Sequence, residues 1–140
     1  MLVIDASVAL KWFLDEPDSV AAVAVGTRQD LVAPDLLLAE VANALWRSVR
    51  MGRLSAADGR SAASRLPREF AGLVAGSVLV GRALEIATAL DHPVYDCFYL
   101  ALADREAAML VTADRRLRER AAGTPWQQVV RDLQTFPSDS

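Results

Sequence analysis

The stretch Leu2-Val3-Ile4-Asp5-Ala6-Ser7-Val8 carries the first evidence of architecture. Its three apolar residues form a short buried strand that ends at an aspartate, and Ser7 is placed to cap a helix from Val8 to about Leu14, before Pro17. The order repeats downstream. Leu31 to Ala33 reads as a strand, and Pro34-Asp35 opens a helix from Leu36 to Arg50. In that helix Leu38, Val41, Ala42, Leu45 and Val49 recur at helical spacing, and Gly52 closes it. Met109 to Thr112 is a third strand, and Asp114 begins a helix to about Ala122.

Between these units, residues 18–27 read as a helix capped by Asp18 or Ser19. Ser55 to Leu66 is a helix ended by Pro67, and Phe70 to Ala75 is a strand candidate. Ser77 caps a helix to Leu90, His92-Pro93 breaks the chain, and Asp96 starts an apolar helix to Glu106. Trp126 to Val130 is the expected final strand. Strand and helix in alternation give an α/β fold with a parallel sheet, whose functional residues gather at the carboxyl ends of the strands.

Composition narrows the class. A chain of 140 residues, 53% apolar and 24% charged, fits one folded domain, assigned to 1–136, with 137–140 as a frayed tail. One cysteine, Cys97, excludes an internal disulfide and a cysteine zinc cage, and one histidine, His92, excludes a histidine metal cluster. His92 reads as a turn residue before proline and Cys97 as a small buried apolar group. No apolar run approaches a membrane span, and the start lacks a basic leader, so a cytoplasmic protein is expected.

The net charge of −3 hides segregation. Residues 1–41 hold 2 basic and 7 acidic groups, and 91–114 hold 1 and 5. Residues 42–90 hold 7 and 3, and 115–131 hold 5 and 1. The bases are arginines except Lys11, and arginine binds phosphate through two parallel bonds. Arg47, Arg50, Arg115, Arg116 and Arg118 are candidate contacts to phosphate, with a solvated helix face as the other reading.

Three aspartates occupy equivalent places: Asp5 after the first strand, Asp114 after Thr112, and Asp96 after a chain break. Glu40 lies in the long helix, on one stripe with Asn43, Arg47 and Arg50. Taken singly, Asp96 and Asp114 read as helix caps, Asp5 as a turn residue and Glu40 as an exposed position. Together they form an acidic pocket that only a positive group can relieve. Hard oxygen donors without histidine or cysteine suit Mg2+ or Mn2+, which activates water and neutralises charge on a phosphate. Trp12 and Trp46 read as core or as the lining of a partner groove, and Tyr95 and Tyr99 as core or as base-stacking rings.

Four stretches, Val3 to Ser7, Pro34 to Leu45, Tyr95 to Ala103 and Leu110 to Asp114, resemble PIN-domain ribonucleases, and more narrowly the VapC-type toxins of VapBC toxin–antitoxin pairs. The resemblance runs in order over nearly the whole chain and is weakest from Arg53 to Val80. It implies a three-layer α/β/α sandwich with a central, mainly parallel sheet. The family's four acids fall on Asp5, Glu40, Asp96 and Asp114, and its hydroxyl positions on Ser7 and Thr112. Asn43 matches a frequent polar position.

The implied activity is Mg2+- or Mn2+-dependent hydrolysis of RNA by activated water, giving 5′-phosphate and 3′-hydroxyl ends. The ion would be held by Asp5, Asp96 and Asp114. Glu40 either orients groups around it or ligates a second ion; the number of ions stays open. The implied partners are RNA, a cognate VapB-type antitoxin whose flexible basic tail crosses the acidic pocket, and further copies in a homodimer or larger toxin–antitoxin oligomer. A non-catalytic interaction domain on the same fold is the main rival. A phosphoacceptor receiver domain fits less well, because Asp5 has no acidic neighbour and the one lysine is Lys11.

Overall fold

The computed structural model describes residues 1–137. Five short strands form one sheet: β1 (Leu2–Ile4), β2 (Leu31–Pro34), β3 (Gly72–Val74), β4 (Leu110–Thr112) and β5 (Val130–Asp132), in the order β3-β2-β1-β4-β5. All four pairings are parallel. Leu2 pairs with Leu31, Val3 with Leu110, Val32 with Gly72 and Leu110 with Val130. Leu2, Val3, Ile4, Leu110 and Val111 are all buried, so each central strand is covered on both faces.

Seven helices connect the strands: α1 (Ala6–Leu10), α2 (Ser19–Gly26), α3 (Leu36–Arg50), α4 (Ala56–Arg65), α5 (Gly76–Leu90), α6 (Val94–Glu106) and α7 (Arg115–Ala121). From β1 the chain moves outward through β2 to β3, then returns to the other side of β1 for β4 and β5. Right-handed crossovers therefore put α1 to α4 on one face and α5 to α7 on the other, completing the three-layer sandwich. Packing agrees, since α1 meets α2 and α3, α3 meets α4, and α5 lies along α6. The reversal falls between β1 and β4. Their carboxyl ends are thus the switch point of the sheet, where a crevice opens.

Local chemistry moved several boundaries from their expected places. Asp5, with extended backbone, caps α1 by accepting from Val8 N at 3.3 Å, so the helix starts at Ala6 and Ser7 lies inside it instead of capping it. Helix α6 starts at Val94, with Pro93 as the flanking residue, and Asp96 sits within its first turn and does not cap it. Proline is suited to that edge because its φ is already fixed. No side chain caps α5; Ser77 lies inside it, and Gly76 N donates to Asp35 Oδ1 at 3.2 Å. Trp126 lies in a 3-10 turn, Pro125–Gln128, nucleated by Thr124, whose hydroxyl accepts from Trp126 N at 3.2 Å. The last strand accordingly follows that turn. Along α3 the buried stripe is Leu37, Val41, Ala44, Leu45 and Ser48, which leaves Ala42 and Trp46 exposed. Gly52 closes α3 as expected, with φ of 76° and its N–H on the Val49 carbonyl.

Among the described residues no helix is long and apolar enough to cross a membrane. Of the expected frayed tail, residues 138–140 lie outside the described residues.

Candidate active site

Two hydroxyls clamp the ends of β1 and β4 together. Ser7 Oγ donates to Asp5 Oδ1 at 2.5 Å and accepts from Ala113 N at 3.0 Å. Thr112 Oγ1 donates to Asp5 Oδ2 and accepts from Asp114 N at 2.9 Å. Asp5 is therefore tied through Thr112 to the backbone of Asp114, across the switch point. The geometry follows from the sequence: both hydroxyl residues sit next to the end of a central strand, where neighbouring backbone N–H groups lack ladder partners.

The other acids are each gripped by one oxygen. Glu40 Oε1 accepts from the hydroxyl of Tyr99 at 2.5 Å, reaching from α3 to α6. Asp96 Oδ2 lies 2.7 Å from His92 Nε2. Asp114 Oδ1 accepts from Arg116 N at 2.8 Å, which makes it the N-cap of α7, an arrangement worth about 1 kcal/mol. Among the described residues, none of the four carboxylates forms an ion pair with lysine or arginine.

Electrostatics join Asp96 to both neighbours. Burial pushes the Asp5 carboxyl up to about 7; the Ser7 and Thr112 hydrogen bonds oppose that rise, and the charge of Asp96 adds to it. Burial also raises Glu40, against the pull of Tyr99 and with a further push from Asp96. Tyr99, 1% exposed, has its phenol held far above the ordinary range by burial and by the charge of Glu40. On its outer side Asp96 shares a cleft of about 680 Å3 with His92, Asp114, Arg116, Glu119 and Arg120. Asp5 and Glu40 do not line that cleft.

The nominated arginines divide. Arg115 is bound to Glu119 at 2.8 Å and Arg118 to Asp132 at 3.3 Å, whereas Arg116 lines the cleft. Arg120, not singled out by the sequence, joins it there. Arg47 and Arg50 are exposed on α3, and Arg50 stacks over Trp46 at 5.5 Å. Asn43 is exposed, and among the described residues no hydrogen bond ties it to the acids. Two contacts beside the acids have no signal in the sequence. Tyr99 is core, one of its two expected roles, and in addition donates to Glu40. His92 is the expected turn residue before Pro93 and in addition contacts Asp96.

The donor set suits a hard divalent cation: oxygen ligands, a carboxyl raised by burial and by the charge of Asp96, and oxygens left open on Glu40, Asp96 and Asp114. The fit lies in chemistry and placement. Among the described residues no three acidic, histidine or cysteine groups already converge as a metal cage.

The profile of the PIN domain family matches residues 2–123. This chain is a PIN domain. Ribonuclease VapC3 of Pyrobaculum aerophilum is 36% identical over 122 residues, covering 85% of this chain and 93% of that one. Ribonuclease VapC9 of Mycobacterium tuberculosis is 36% identical over 119 residues, covering 85% and 90%. These relatives place the PIN domain in the VapC branch. A crystal structure of the Pyrobaculum aerophilum protein PAE2754 superimposes with a TM-score of 0.72 at 25% identity, over 96% of this chain and 90% of that one. A toxin-antitoxin complex from Klebsiella pneumoniae shares the fold, with a TM-score of 0.69 at 14% identity, over 95% and 98%. PIN-domain ribonucleases are in general dependent on divalent metal.

Proposed function

We propose that this PIN domain is an Mg2+- or Mn2+-dependent endoribonuclease and the toxin of a type II toxin–antitoxin pair. One observation supports the reading: Asp5 is tied through Thr112 to the backbone of Asp114, Asp96 bears on both Asp5 and Glu40, and among the described residues none of the four carboxylates is neutralised by lysine or arginine. A structural cluster of acids would be expected to recruit such partners, because uncompensated buried charge is costly.

The protein's own residues then have defined tasks. Ser7 and Thr112 hold Asp5 with its oxygens in fixed directions. Asp5, Asp96 and Asp114 are the assigned ligands, and Tyr99 keeps Glu40 turned toward Asp96, where it orients water or joins a second ion. A bound divalent ion lowers the pKa of water and stabilises charge growing on the phosphate. Arg116, and with less support Arg47, Arg50, Arg115 and Arg118, hold the RNA backbone by counterion release. Asn43 faces substrate from α3. Cleavage leaves 5′-phosphate and 3′-hydroxyl ends, since this attack needs no 2′-hydroxyl.

The expected partner is a VapB-type antitoxin with a basic tail, whose positive side chain substitutes for the ion's charge in the pocket. A homodimer or larger oligomer, a cytoplasmic location and a single domain over 1–136 complete the reading. Purified protein should cut labelled RNA with Mn2+, stop with chelator, and stop in a stoichiometric antitoxin complex. Binding to the antitoxin without any metal-dependent cleavage would favour the non-catalytic interaction domain.

A further inference from the structure

We infer that His92 is a positioning residue that holds Asp96 through Nε2–H, fixing Oδ2 and leaving Oδ1 as the oxygen offered to a divalent ion. The inference rests on the nuclease reading of the same site and adds a residue to it. His92 Nε2 lies 2.7 Å from Asp96 Oδ2, and the imidazole is more enclosed than the acid, with side chains 8% and 27% exposed. Among the described residues Asp96 Oδ1 accepts no hydrogen bond.

The ring is set in place by backbone. Asp91 takes a left-handed conformation, φ 51°, to close α5, and His92 N donates to the Ala87 carbonyl at 3.2 Å. Pro93 follows as the residue flanking α6. His92 and Asp96 are thus four residues apart without sharing a helix, and the turn between α5 and α6 aims one at the other.

The choice of histidine has a physical reason. An imidazole fixes one carboxylate oxygen through a single N–H and leaves the other open, whereas the two-pronged fork of an arginine there would occupy both and compete with the ion. Its committed Nε2 also separates this role from proton delivery to a leaving group. The chain has 15 lysines and arginines and a single histidine, so the one imidazole facing the acids is also spectroscopically unique.

Two measurements test the role. Nitrogen-15 NMR of the metal-free protein at about pH 8, above the ordinary histidine value, should show the imidazole as the Nε2–H tautomer. An Nδ1–H tautomer or a mixture of tautomers overturns the proposal. Mn2+ titrations of the same protein provide the second readout. His92→Leu should weaken binding by about 10- to 100-fold, the usual effect of losing a ligand's hydrogen-bond partner. His92→Gln, whose amide reaches the Nε2 position, should stay within about threefold of wild type, while His92→Asn, too short to reach, should behave like His92→Leu. If His92→Leu fails to fold, the contrast between Gln and Asn decides. Equal affinity in all four proteins, or equal loss in Gln and Asn, overturns the role. Absence of Mn2+ binding and RNA cleavage in wild type would instead overturn the nuclease reading on which it stands.

Discussion

Around the rim of the molecule, five acids are matched with arginines. Arg28 holds the Asp30 carboxyl well below the usual range, Arg82 bridges Glu85 and Asp104, Arg115 binds Glu119, and Arg118 binds Asp132. At the ends of β1 and β4 the matching stops. Asp5, Glu40, Asp96 and Asp114 are held by two serine and threonine hydroxyls, a phenol, an imidazole and a backbone N–H. Those rim pairs neutralise their charge within the chain. The four acids are oriented by their donors but not paired with lysine or arginine, which is what the proposed divalent ion requires.

The largest expected contrast is catalytic. Glu40→Gln and Asp114→Asn keep the hydrogen bonds from Tyr99 and Arg116 N while removing charge. Each should lower RNA cleavage by roughly a thousandfold or more, because several kcal/mol of charge stabilisation is lost. Asp30→Asn and Glu85→Gln remove the same charge from the rim and should leave cleavage within about twofold, as neutral surface changes do. Initial rates on one labelled RNA compare them. Equal losses in pocket and rim would erase the distinction.

Tyr99→Phe removes a neutral donor and leaves every acid in place. Cleavage should fall about 10- to 100-fold, with stability changed by only about 1 kcal/mol. Parallel rates and melts separate the two quantities. Unaltered cleavage would show that the grip on Glu40 is incidental.

A smaller effect lies in the pH dependence of the metal-free protein. The Asp5 carboxyl titrates at about 7 in the fold against 3.8 unfolded. Between those values the folded protein keeps a proton that the unfolded chain has released. Stability therefore falls as pH rises through that window and levels off above it, with a slope of up to about 1.4 kcal/mol per pH unit. Urea melts in chelator at several pH values measure it. The Arg28 and Asp30 pair contributes in the opposite sense, losing stability only under strong acid.

Much of this was legible in the sequence because strand ends and acids coincide. Leu2 to Ile4 and Leu110 to Thr112 are apolar runs that stop beside Asp5 and Asp114, so the sheet edge and two acids came together. Tyr99 was hidden because its bond to Glu40 spans 59 residues and depends on how α6 packs beside α3. His92 was hidden for another reason: Pro93 breaks the helical frame in which a four-residue spacing has meaning. Ser7 reads as a cap in the sequence, but Asp5 takes the cap and Ser7 donates to Asp5. Trp126 reads as strand by composition, but Thr124 and Pro125 turn the chain first.

The central claim is that the pocket's charge awaits a divalent ion. It is tested by thermal melting of wild type and Asp96→Asn, each with chelator and with excess Mn2+. Asp96 caps no helix, and asparagine can still accept from His92. The metal-free variant should therefore be as stable as wild type, or slightly more so through reduced repulsion on Asp5 and Glu40. Wild type should gain about 1.4 kcal/mol at ten times the dissociation constant of Mn2+, and Asp96→Asn should gain none. Equal gains in the two proteins, or no gain in wild type, would contradict the account.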